Sequence, residues 1–363
     1  MPTVLDDSLL DDPARLAEAD TQGLLRAAAM AGAQVRATKE VAAEIELADR
    51  LDLGRPRALV LVVRPGVGRA LTKLLAALLA PSCPVPVVIT DAVPSWIGAL
   101  DVVFAHTDDP ADRELAAGIE RASRYGATVV LSGPQEGPVA ASIAGKGLLL
   151  APRMPVPPEL TFARGFAAGL LTANALGLLV ADLEALADQL DAEAERGHLG
   201  RDSFANPAKA LALRLADRVP MLWGLDPVAV AVADHAAYAL GAFAGVVCDA
   251  ADYRQAKARP ALHRSALGGD EQDIFVDPDF DEPGLKPRVL LLAVHTGPTA
   301  DAARHEASHT LPGAGIIAPA DEIAGPEPVR AGVLALRFEL AAVYLGLAAG
   351  SLGGAGQYAP ATA

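Results

Sequence analysis

Two histidines four residues apart with a glutamate beside the first, His305-Glu306-Ala307-Ser308-His309, form the sharpest chemical pattern in the chain. On a helix, positions i and i+4 share one face. Both imidazoles can then reach a single zinc ion while the glutamate activates its water, as in a zinc metalloprotease. The same spacing also describes a solvated polar helix face. Leu311-Pro312-Gly313 ends any such helix at once, and no third histidine follows, which leaves Glu322, Glu327 or Glu339 to complete a site. The purified protein is therefore expected to hold no stoichiometric zinc. Elemental analysis checks this, and one zinc per chain, lost on His305→Ala, would contradict it.

Other residues invite weaker readings. Gly66-Val67-Gly68, flanked by Arg64 and Arg69, has the opening of a dinucleotide turn, but the third glycine of that fingerprint is absent. No cofactor is expected. His106 closes an apolar run and reads as a ligand-binding or acid group, or as a strand-end histidine satisfied by its neighbours. Trp96 and Trp223 read as packing residues near strand ends. Cys83 and Cys248, the only cysteines, have no thiol or histidine at ligand spacing and read as small core residues.

The elements that must position these groups follow from composition and periodicity. With 363 residues, 52% of them hydrophobic, the chain is long enough for two domains with separate cores. A net charge of −15 opposes phosphate backbones and anionic lipid, so neither nucleic acid nor a membrane surface is an expected partner. The N-terminus carries acids where a secretory signal carries bases, which points to the cytoplasm. The charge-free run from Gly165 to Ala181 is short for a membrane span and reads as a central buried helix.

After a helix-forming acidic segment, residues 7 to 50, short apolar runs alternate with helical stretches. Ala58 to Val63, Val85 to Thr90, Val102 to His106, Thr128 to Gly133 and Leu148 to Pro152 are short and β-rich, as buried parallel strands are. Ala70 to Leu79 and Asp112 to Tyr125 are amphipathic. A charged helix, Asp182 to Arg196, and Gly197-His198-Leu199-Gly200 have the composition of a connector. The alternation restarts with Val219 to Gly224, Ala244 to Asp249, Val289 to Val294 and Gly315 to Pro319, interrupted by a polar loop from Ser265 to Pro287. Val329 to Gly350 reads as a long apolar helix. The expected domains are a lead-in over 1–50, a first α/β domain over 51–181, a connector over 182–205, a second domain over 206–350 and a tail over 351–363.

This order of features resembles the bifunctional phosphoglucose/phosphomannose isomerase family across almost the whole chain. The likeness lies in Asp11-Asp12-Pro13 through Gly23-Leu24-Leu25, in Ala163-Arg164-Gly165-Phe166 entering the central helix, and in Val329-Arg330 through Ala341-Ala342-Val343-Tyr344-Leu345-Gly346. The resemblance implies an α/β fold of two tandem sugar-isomerase (SIS) domains, each a five-stranded parallel sheet flanked by helices. It also implies a ligand cleft at the carboxyl ends of the strands between the domains, and a homodimer that completes its sites across the subunit interface.

In that family a first-strand turn with a serine and a third-strand Ser-x-Ser-Gly-x-Thr loop cradle the sugar phosphate, chemistry that suits short hydroxyls and backbone N–H groups at a helix N-terminus. Here the matching positions read Arg64-Pro65-Gly66-Val67-Gly68-Arg69 and His106-Thr107-Asp108-Asp109-Pro110-Ala111. Arg64, Gly66, Gly68, Arg69, His106, Thr107 and Asp108 are thus the candidate ligand-binding residues, with carboxylates where the family has hydroxyls. Arg69 is expected to pair with Asp108 and fill the place of the phosphate. The family's catalytic glutamate falls near Gly241, where no carboxylate stands, and Arg254, Gln255 and Lys257 follow it. Arg164, Lys257 and His263 are the candidate catalytic residues. Without a base to move the proton between C1 and C2, isomerisation loses its main acid–base contribution. The resemblance therefore implies a protein that binds a sugar phosphate or another small carbohydrate derivative, with catalysis weakened or lost. The alternative is an active isomerase interconverting glucose 6-phosphate or mannose 6-phosphate with fructose 6-phosphate.

Overall fold

The computed structural model describes residues 5–80, 82–143, 145, 147–267 and 286–353. Most of the polar loop expected over 265–287, and the tail beyond 353, lie outside the described residues. The chain forms two compact units, Ala29–Ala192 and the combination of Met1–Ala28 with Glu193–Ala363.

The chain enters through α1 (Pro13–Ala19), whose first N–H groups are capped by Asp12 ahead of a proline at the first helical position, and α2 (Leu24–Ala29). In the Ala29–Ala192 unit, α3 (Ala31–Glu44) and α4 (Leu47–Arg50) precede a β/α alternation: β1 (Ala58–Val62), α5 (Gly68–Leu79), β2 (Val87–Thr90), β3 (Asp101–His106), α6 (Arg113–Arg124), β4 (Thr128–Ser132), α7 (Gly137–Ser142) and β5 (Leu148–Leu150). Then follow α8 (Phe162–Ala175) and α9 (Leu183–Arg196), within which the boundary of the unit falls. The five strands are parallel, in the order β2-β1-β3-β4-β5. Every residue of β1 and β3 is buried, which is why these strands read as unbroken apolar runs rather than alternating ones. The expected central helix forms, but over Phe162–Ala175 rather than Gly165 to Ala181; it is buried over nearly its whole length and packs against α3 and α5.

The other unit repeats the plan. It contains α10 (Pro207–Leu215), β6 (Arg218–Gly224), α11 (Pro227–Ala244), β7 (Asp249–Asp252), α12 (Tyr253–Lys257), α13 (Pro260–Leu267), β8 (Lys286–Leu292), α14 (Pro298–Thr310), β9 (Gly315–Ile317) and α15 (Glu327–Ala348). Its strands are also parallel, in the order β7-β6-β8-β9. Among the described residues this sheet has four strands, not the five expected for each domain. The helices α11 and α15 are long and apolar enough to cross a membrane, but α15 is buried inside the protein throughout and α11 over most of its length, as core helices are.

Both sheets share one consequence of their strand order. The chain leaves the first strand toward one neighbour and returns on its other side, so the order reverses between β1 and β3 and again between β6 and β8. In open parallel sheets the crevice at the carboxyl ends of such a strand pair is where ligands bind.

Candidate functional site

In the Ala29–Ala192 unit that crevice is filled by its own side chains. His106, at the last position of β3, is 2% exposed; its Nδ1 lies 3.0 Å from Ser132 Oγ, and its Nε2 lies 3.3 Å from Thr161 Oγ1 and 3.5 Å from Asp108 Oδ2. Thr161 Oγ1 donates to Asp108 Oδ2 at 2.5 Å, and Arg164, from the first turn of α8, holds Asp108 Oδ1 in an ion pair. Burial works against the Asp108 charge, but His106, Arg164 and Thr161 outweigh it and hold the pKa at about 2. Burial pushes the His106 pKa down despite Asp108, which favours the neutral imidazole. Gly165 makes the close approach possible, because a Cβ there would stand 2.9 Å from His106 Cγ.

This arrangement corrects the expected pairing. Asp108 is held by Arg164, not by Arg69, which is exposed and makes no ion pair among the described residues. The physical reason is local: α8 begins directly over the β3 loop, whereas Arg69 sits in the first turn of α5 and points to solvent. Arg64, buried, instead pairs with Asp112 at 2.6 Å and Glu114 at 3.5 Å and donates to the Asp91 carbonyl. Thr107 Oγ1 accepts from the Asp109 N–H, and Asp109 accepts from the Ala111 N–H, so these groups shape their own loop. Gly66 lies in the turn between β1 and α5, and Gly68 is the first residue of α5.

In the other unit the corresponding crevice is open. Two adjoining cavities of about 400 and 230 Å³ lie at the carboxyl ends of β6, β7 and β8 and share Leu225, Asp226, Pro227, Arg254 and Ala303. The first is completed by Asp252, Tyr253, Lys257 and Glu306, the second by His295, Thr296, Thr299 and Ala300. Asp226 caps α11 by accepting from Ala229 N–H, and its other oxygen accepts from Val294 and His295 N–H at 2.8 and 3.0 Å. Three N–H donors thus absorb its charge. His295 Nε2 stands 3.8 Å from Asp226 Oδ1 and 3.7 Å from Glu327 Oε1.

The loop after β8 is this sheet's third-strand loop, since β8 flanks β6 as β3 flanks β1. It reads Val294-His295-Thr296-Gly297-Pro298-Thr299, a run of two hydroxyl residues around Gly297-Pro298. Gly297 adopts φ 99°, a conformation closed to most side chains, and stands at the N-cap of the 13-residue α14 with no side chain capping it. The N–H groups of Thr299 and Ala300 make no hydrogen bond among the described residues. Such a turn presents free donors and the positive end of a helix dipole.

The candidate ligand-binding residues read from the sequence all lie in the first half, and this turn was not among them. The signal was present, as a Thr-Gly-Pro-Thr run between an apolar strand and a helix with proline at its first position. Of the proposed catalytic residues, Arg164 belongs to the Ala29–Ala192 unit, while Lys257 and His263 belong to the other. Lys257 lines the open cavity but is engaged with Glu306 at 2.9 Å, which lowers the Glu306 pKa. His263 stacks on Trp223, rings 6.1 Å apart and 7° from parallel, outside the cavity lining. Gly241 is an exposed position on α11.

The His305-Glu306-Ala307-Ser308-His309 pattern does lie on one helix, α14. Its imidazole rings meet edge to face with centroids 4.5 Å apart, and both are exposed. With Glu306 bound to Lys257, and no group of three metal-ligating side chains among the described residues, nothing in this geometry supports a metalloprotease.

No family model matches the sequence, and no curated protein does. Solved structures match it in fold. A hypothetical protein from Thermus thermophilus aligns over 94% of this chain and 89% of its own, with a TM-score of 0.66 and 15% identity. The C-terminal domain of glucosamine-fructose-6-phosphate aminotransferase from Francisella tularensis aligns over 90% and 96%, with 0.62 and 9%. Tagatose-6-phosphate ketose/aldose isomerase from Escherichia coli aligns over 90% and 92%, with 0.62 and 11%. At these identities the likeness shows the fold, which is that of two tandem sugar-isomerase-type parallel-sheet domains.

Proposed function

We propose that the protein binds a sugar phosphate in the open cavity of the unit containing Glu193–Ala363, and that isomerase catalysis is weakened or lost. The observation behind this reading is the Thr296-Gly297-Pro298-Thr299 turn, whose unpartnered N–H groups open onto a cavity of ligand size. Arg254 lines both lobes and makes no ion pair or side-chain hydrogen bond among the described residues, so its guanidinium is available to the same phosphate. The layout shared with the bifunctional phosphoglucose/phosphomannose isomerases supports hexose 6-phosphates as the ligands, and a cytoplasmic homodimer goes with that reading.

Loss of catalysis follows from how the carboxylates are employed. Asp226 is saturated by three backbone donors and Glu306 is paired with Lys257, so of these carboxylates only Asp252 keeps an oxygen free, its other one capping α12, which weakens catalysis unless that oxygen reaches the reacting carbons. A general base needs an oxygen within reach of the C1 or C2 proton and free to accept it.

Calorimetric titration with fructose 6-phosphate tests the proposal. Expected are micromolar binding at one site per chain, at least about tenfold weaker binding for Arg254→Ala, and no conversion to glucose or mannose 6-phosphate in a coupled assay. Absence of binding would overturn the site, and turnover would overturn the loss of catalysis.

A further inference from the structure

The amino edge of the β7-β6-β8-β9 sheet, opposite the open cavity, gathers positive charge in a chain of net charge −15. Arg218 opens β6 and Lys286 opens β8, and the two are direct partners in the parallel register. Arg288, two residues further along β8, falls on the same face of the sheet, about 7 Å along it. Arg214, in the last turn of α10, lies on that face as well. A Cβ on Gly315 of β9 would collide with its Nη2 and would stand 3.1 Å from Leu290, which shares the face of Arg288. Glycine at 315 thus leaves room for the guanidinium. Arg214, Arg218 and Lys286 make no ion pair or side-chain hydrogen bond among the described residues, and Asp217, the acid next to Arg218 in the chain, is exposed and pairs with none of them. Arg214 is half-buried, so its donors are partly withdrawn from water. Burial and the neighbouring Arg288 charge both push its pKa down. Like charges held together repel, and an anion placed among them replaces that repulsion with attraction.

From this juxtaposition we propose a separate anion site, at the amino edge of the sheet, for a small compound carrying two or more linked phosphate groups. A guanidinium presents paired N–H donors in a plane that matches phosphate oxygens. A diphosphate spreads its charge over two groups, as this patch spreads its cations over α10, β6 and β8. A single phosphate leaves part of the patch uncompensated. The site is distinct from the open cavity, since β6 runs seven residues, roughly 20 Å, from Arg218 to the cavity residue Gly224. It stands whether or not that cavity takes a sugar phosphate.

Calorimetric titration of the full chain with pyrophosphate tests this. Pyrophosphate should bind about tenfold more tightly than sulfate or orthophosphate, with an affinity that falls as salt rises. Binding should persist in Arg254→Ala, which removes the cation of the open cavity. It should weaken at least about tenfold in Arg214→Gln, and as much in Arg218→Gln combined with Lys286→Gln. Arg214→Gln should fold with a thermal midpoint no lower than the wild type, because a repelling charge is gone, and pyrophosphate should raise the midpoint of the wild type but not of this variant. Loss of binding in Arg254→Ala would place the anion in the open cavity and overturn the proposal. Equal affinity for sulfate, pyrophosphate binding that both sets of substitutions leave unchanged, or no binding at all would overturn it too.

Discussion

Replacing Arg337 by methionine should lower the unfolding free energy by about 3–5 kcal/mol, among the largest losses available to a single substitution here. Arg337 is 4% exposed on α15 and joins two acids. Its Nε and Nη2 donate to Glu193 at 2.6 and 3.2 Å, and Nη1 and Nη2 donate to Glu322 at 2.7 and 2.6 Å. Burial opposes the guanidinium charge, but Glu322 and Glu193 outweigh it and raise its pKa. Glu193 is fully buried, and without Arg337 only Arg196 among the described residues remains in an ion pair with it, at 2.5 Å. The loss therefore comes mainly from a carboxylate left with too little compensation rather than from the net worth of the pair. Urea denaturation measures it. Arg337→Met combined with Glu193→Leu should recover most of the stability, and a single-variant loss below about 1 kcal/mol would contradict the account.

The second large effect concerns the filled crevice. Asp108→Asn should cost about 3–5 kcal/mol, because Arg164, 8% exposed, would lose its counter-charge. The same residue sets a pH signature. The Asp108 pKa falls from 3.8 to about 2 on folding, so its stabilisation is complete above pH 3.8 and is lost as pH falls through about 2. The difference corresponds to about 2 kcal/mol. His106 acts in the same direction, since burial lowers its pKa and acid favours the chain in which it can protonate. Unfolding followed between pH 5 and pH 2 should show a decline that is shallower in Asp108→Asn; an unchanged slope would contradict the role given to Asp108.

How much of this was legible in the sequence depended on which force set each feature. The strands β1, β3 and β4 lie where their apolar runs placed them, because burial on both faces writes itself into composition. The β7 strand does not. Val246-Val247-Cys248 reads as a strand, yet Gly245 in the left-handed conformation ends α11 just before it, and the chain pairs with β6 only from Asp249 to Asp252. An Asp-Ala-Ala-Asp strand is made by its neighbour, not by its own propensity. The pairing of Asp108 was likewise out of reach. Sequence could show that two loops carry opposite charges, but α8 supplies the cation from 56 positions away. The open site was legible in part, through Thr296-Gly297-Pro298-Thr299, and was obscured by the histidine pattern that follows on the same helix.

The central claim is that one strand-end crevice of this chain receives a phosphate while the other is closed by Arg164 and Asp108. A crystal structure of the protein soaked with fructose 6-phosphate tests it most directly. The account predicts phosphate density within hydrogen-bond distance of the Thr299 and Ala300 N–H groups and the Arg254 guanidinium, with the Arg164–Asp108 pair intact. Phosphate bound at Arg164, with Asp108 displaced and the Thr296–Thr299 turn empty, would contradict it.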